Sequence, residues 1–151
     1  MLQRRRTIAS IPDGLMKTDE VIRKGRAVCR KLNTEKTEYA LALPKAAADL
    51  NDLYGFITLR IDEDVYKESK YDNIEAGVRA VCYTLVPNEE WATTEFDGEL
   101  VMGDKCTVSV ASGKEGMIVK CSESDTALFE VIAVTPAMGG YEEAMVTVKV
   151  L

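Results

Sequence analysis

Histidine is absent from the 151 residues, and that absence removes Ser-His-Asp triads, HExxH zinc sites and imidazole general bases together. No apolar run approaches the roughly 18–20 residues that a membrane-spanning helix needs. The leading Met1-Leu2-Gln3-Arg4-Arg5-Arg6 carries charge with no apolar stretch behind it, so no secretory signal is expected and folding in a cytoplasm is. Cys29, Cys82, Cys106 and Cys121 stand singly, without the CxxC spacing of a zinc site, and four reduced thiols are expected. Low-complexity tracts and repeats of solenoid period are also missing. What remains is 46% hydrophobic and 29% charged, close to the soluble globular average, in a length that suits one core.

The formal net charge of −6 is unevenly spread. Residues 1–36 hold ten basic side chains against four acidic ones, a net of +6, which leaves −12 on the other 115 residues. A basic leader on an acidic body suits docking on an acidic partner, on a neighbouring copy or on nucleic acid. The acidic body argues against a nucleic-acid module, which needs a basic face on the folded domain itself.

Segments rich in Val, Ile, Thr, Tyr and Phe, bounded by Gly, Pro, Asn and Asp, predict strands at Val21–Arg30, Glu38–Leu43, Gly55–Ile61, Gly77–Leu85, Cys106–Val110, Met117–Cys121, Ala127–Val134 and Ala144–Leu151. In the last of these, Val146, Val148 and Val150 fall on one face and Thr147 and Lys149 on the other, the period of a half-buried strand. That strand is a candidate exposed edge. Pro44–Leu53 predicts one short helix with Leu50 and Leu53 inward. Turns are expected at Asp97-Gly98, Gly103-Asp104, Ser112–Gly116 and Gly139-Gly140. The fold class is therefore all-β: a small β-barrel or two-sheet sandwich with one short helix. Residues 1–18 lack a steady period and read as an extended N-terminal arm outside the body. Residues 19–151 read as a single β-rich domain that folds without the arm.

Chemical constellations are weak. Asp62-Glu63-Asp64 lacks the ligand spacing of a calcium loop and reads as a solvated turn. Ser112-Gly113-Lys114 lacks the upstream glycine of a phosphate loop and reads as a hairpin turn. Glu89-Glu90 and Glu142-Glu143 are adjacent pairs that point to opposite faces of an extended chain and read as surface charge. Tyr54, Phe56 and Arg60 come nearest to a nucleic-acid stacking platform. Trp91, in a polar, loop-like stretch, either seals a core edge or anchors an interface. No catalytic, cofactor-binding or metal-ligating residue is assigned, no cofactor is expected, and an enzyme is disfavoured. The interface candidates are Arg4, Arg5, Arg6, Ile8, Ile11, Leu15 and Met16 of the arm, together with Trp91. The arm would be steered by charge and would then bury its apolar residues.

Lys24-Gly25-Arg26-Ala27-Val28, Leu53–Arg60, Ile74–Val81, Val101–Val108 and Ser112-Gly113-Lys114 follow one another in an order that resembles the small β-barrel decoration, or cement, proteins of tailed-bacteriophage heads. More loosely it resembles other phage virion structural proteins. The resemblance implies a capsid decoration protein on the virion surface, assembled in the host cytoplasm, that binds the major capsid protein and stabilises the head. It also implies contact with neighbouring copies as a homo-oligomer, often a trimer, with no membrane and no specific nucleic acid as partner. A head-tail or tail protein and a nucleic-acid-binding β-barrel are the alternatives.

Overall fold

The computed structural model describes residues 1–33, 35–59, 73–138 and 143–151. The Asp62-Glu63-Asp64 run, Arg60, Gly139-Gly140 and Glu142 lie outside the described residues. Among the described residues the strands are β1 (Leu2–Arg6), β2 (Pro12–Asp13), β3 (Lys17–Thr18), β4 (Ile22–Arg23), β5 (Ala27–Leu32), β6 (Tyr39–Ala42), β7 (Leu53–Thr58), β8 (Asn73–Ile74), β9 (Val81–Thr84), β10 (Glu90–Thr93), β11 (Lys105–Val108), β12 (Ile118–Lys120), β13 (Phe129–Thr135) and β14 (Met145–Val150). One 3-10 helix, Ala47–Asp52, stands where the short helix was expected. Its start is tied by Asp49, whose Oδ2 accepts the Lys45 and Ala46 backbone N–H groups. Leu50 and Leu53 pack inward against the core.

Of the two layouts the sequence allows, the two-sheet one is found. The first sheet has the order β1-β10-β14-β13-β11-β12 and the second β2-β9-β7-β5-β6-β3, with β4 and β8 forming a separate ribbon. The larger core lies between the sheets. Phe56 and Tyr83 of the second sheet meet Trp91, Phe129, Val146, Val148 and Val150 of the first, and ring centroids of Phe56 lie 6.1 Å from Trp91 and 5.6 Å from Phe129. Each such side chain removed from water contributes on the order of 1.5–3 kcal/mol. A second core covers the opposite face of the second sheet and takes in Val28, Leu41, Ile57 and Cys82, with Ile22 and Ile74 of the ribbon. Consecutive residues such as Phe56 and Ile57 therefore serve different cores, which explains why β5, β7 and β9 read as apolar runs and not as alternating strands.

The outward face of the first sheet is charged. Register places Arg6 opposite Glu90, Glu90 opposite Lys149, Lys149 opposite Glu130 and Glu130 opposite Lys105. This is an alternating ladder across five strands, with Lys105 Nζ 2.7 Å and Lys149 Nζ 3.5 Å from Glu130 Oε2.

Several expectations are corrected. The predicted strand over 21–30 is two strands, β4 and β5, broken at Gly25. There φ is +95°, and a Cβ would meet Thr93 Oγ1 at 2.6 Å and the Met1 carbonyl at 2.7 Å. β14 is an interior strand held between β10 and β13, so it offers no free edge. The stretch around Trp91 is strand β10, not loop.

Candidate functional site

The interface candidates cluster in residues 1–18. This segment is extended as expected, but it lies on the body and not outside it. β1 pairs with β10 in the first sheet, β2 with β9 in the second, and β3 with β6 at the second sheet's other margin. Lys17 bridges to both Ala40 and Arg79, so residues 12–18 occupy both margins of the second sheet. The physical reason is apolar anchorage: Met1 and Met16 are buried, in different cores.

Polar clasps hold the same segment. The Glu89 carboxylate is fully buried, and its Oε1 accepts three successive backbone N–H groups, from Ile8 at 2.6 Å, Ala9 at 2.7 Å and Ser10 at 2.7 Å. Burial alone would raise its pKa, but these donors together hold it below the ordinary glutamate value. The Met1 amine donates to Thr94 Oγ1 at 2.7 Å and to the Lys24 carbonyl at 3.2 Å. Its burial, only partly offset by the nearby Glu95, pulls its pKa down to about 6. Glu95, itself buried, takes Arg23 Nε at 2.8 Å and Arg26 Nε at 3.0 Å, and Arg23 also pairs with Glu143.

What remains exposed forms a basic and apolar rim. The Arg4 guanidinium sits 5.0 Å from the Tyr83 ring centroid. No carboxylate among the described residues is in ion-pair range of Arg4, Arg5 or Arg6. Ile8, Ile11 and Leu15 are exposed at 56%, 68% and 78%. Two candidates are corrected: Met16 belongs to the second core, and Trp91 is fully buried in the first, 5.1 Å ring to ring from Tyr83. Neither is free to contact a partner. Glu89, read as surface charge, is likewise internal. Its role was invisible in the sequence because its partners lie 79 to 81 residues away.

A cavity of about 300 Å³ is lined by Arg30, Tyr39, Asn51, Asp52, Leu53 and Tyr54. The Arg30 guanidinium lies 5.0 Å from the Tyr39 ring centroid and 5.1 Å from that of Tyr54, so the chain's own cation covers one face of each ring. Tyr54 donates its hydroxyl to Asp13 Oδ2 at 2.9 Å. Burial and this carboxylate raise its pKa. Phe56 is fully buried, which leaves the supposed Tyr54–Phe56–Arg60 stacking platform without its central ring.

No protein-family model matches the chain, and no curated protein matches its sequence. Among solved structures it is similar to the crystal structure of the head fiber gp8.5 N base in bacteriophage phi29, at 13% identity and a TM-score of 0.50, over 100% of this chain and 95% of that one. The likeness is one of fold, and it meets at that level the resemblance to phage head proteins drawn from the sequence.

Proposed function

We propose that the chain is a structural protein of a bacteriophage head, and more finely a decoration protein that docks on the major capsid protein and stabilises the shell. The observation that carries this reading is the fold shared over nearly the whole of both chains with a phage head fiber base. The arginines without a carboxylate partner among the described residues and the exposed isoleucines along one rim support docking, since such a rim gains both from charge complementarity and from apolar burial. Contact with neighbouring copies on the shell follows from the same reading.

The test is co-sedimentation of the purified protein with heads that lack it, followed by electron microscopy. Saturable binding at a fixed number of copies per head, with heads more resistant to heat, is the expected result. Soluble protein left wholly in the supernatant would overturn the decoration reading.

A further inference from the structure

β1 is the outermost strand of the first sheet. One side of it pairs with β10, and among the described residues no other main-chain hydrogen bond reaches residues 2–6. The other outermost strands are shorter: β2, β3, β4 and β8 have two residues each and β12 has three. The outer side of β12 is also covered, because Ile118 donates to the Glu95 carbonyl and accepts from Asp97. β1 is thus the longest open edge among the described residues, and three of its five residues are arginine.

An open strand edge is a template for any passing strand unless something restricts it. Here the restriction is charge of one sign. A second copy pairing antiparallel through the same edge would set three arginines against three arginines, and like charges placed opposite one another repel. An acidic strand meets the opposite situation, with main-chain donors and acceptors in a row and guanidinium groups along it that have no carboxylate partner among the described residues. Ile8 and Ile11, just beyond the strand, add exposed apolar surface.

We infer that the edge of β1 receives an extended acidic segment of a partner protein by β-strand addition, and that Arg4, Arg5 and Arg6 both select this strand and refuse self-pairing. The inference rests on the docking reading above and names its chemistry. Rejection and recognition come from the same side chains, so specificity needs no pocket.

The probe is a fluorescent eight-residue peptide alternating Glu with Val or Thr, titrated into the full chain at low salt and followed by anisotropy. A Lys-for-Glu peptide and two peptides N-methylated at alternate positions, one for each row of N–H groups, complete the set. The acidic peptide should bind. The Lys peptide should not, and one of the two N-methylated peptides should lose binding. The Arg5→Glu variant should weaken binding about fivefold, since it reverses one surface pairing. Arg5 is exposed and sits at the register irregularity between Arg4 and Arg6, with no cross-strand partner in β10, so the variant should keep the wild-type unfolding midpoint. Equal binding of the acidic peptide and both N-methylated peptides would overturn strand addition, and equal binding of acidic and basic peptides would overturn charge selection. Heads decorated by a protein that ignores every peptide would overturn this inference while leaving the decoration reading standing. Peptide binding without decoration would do the reverse.

Discussion

Glu89 ties a segment distant in sequence to the body, because one buried oxygen satisfies three of that segment's N–H groups. Glu89→Ala should cost about 2 kcal/mol in urea unfolding, since it removes the acceptor of three part-buried donors, and Glu89→Gln less, since it keeps an acceptor. The folded pKa is depressed, so the carboxylate's contribution is complete above the ordinary glutamate pKa and is lost as pH falls through the lower folded value. Acid titration of stability should therefore be shallower in Glu89→Gln than in the wild type. The thiols provide a second check at this scale. Cys29, Cys82 and Cys106 are buried and Cys121 is half-buried, and burial raises all four pKa values, to about 11 for Cys29 and Cys106. A thiol reagent should find at most Cys121 in the native protein and all four in urea without reductant. A denatured count of two or zero would contradict the free thiols.

At the level of strands, β7 and β9 approach so closely at Gly55 that a Cβ would lie 2.0 Å from the Tyr83 carbonyl oxygen. Gly55→Ala must push two paired strands apart between both cores. Its expected cost is about 3 kcal/mol or more, read as a fall in melting temperature and in soluble yield. The eight strands read from the sequence all have counterparts, because β-branched and aromatic runs between turn residues mark strands whatever their partners. The three valines of β14 also face the core as their spacing predicts. The missed strands share a different property. β1 is three-fifths arginine, β2, β3 and β8 have two residues each, and β10 opens on a glutamate beside the buried Glu89. Their strand state comes from a neighbour's hydrogen bonds and not from their own composition, so no local pattern displays it. The exposure of Arg4, Arg5 and Arg6 was legible for a complementary reason: a run of three like charges has no apolar partner to bury it, whereas the exposure of Ile8 and Ile11 runs against their residue type. The burial of Met16 and Trp91 depends on which strands meet: Trp91 packs on Phe56, 35 residues earlier, and pairs in register with Val148, 57 residues later, and Met16 shares its core with Leu41 and Ile57, none of which spacing encodes.

For the whole molecule, removal of residues 1–18 is not the loss of an appendage. It strips an edge strand from the first sheet, both margins from the second, and Met1 and Met16 from their cores. A chain beginning at Asp19 should lose its cooperative melting transition and aggregate, contrary to the expectation that the body folds alone. A truncated protein that melts like the full chain would show that the segment is dispensable. The clasp of Glu89 on Ile8 spans 81 residues, and this has a consequence in time. At a synthesis rate of roughly 5–20 residues per second, residues 2–10 wait on the order of 4–16 s after leaving the ribosome before their partners are made. Through that interval the arginines keep a strand-forming stretch soluble and away from its neighbours on the same polysome, so the charges that guard the finished edge also guard the nascent one.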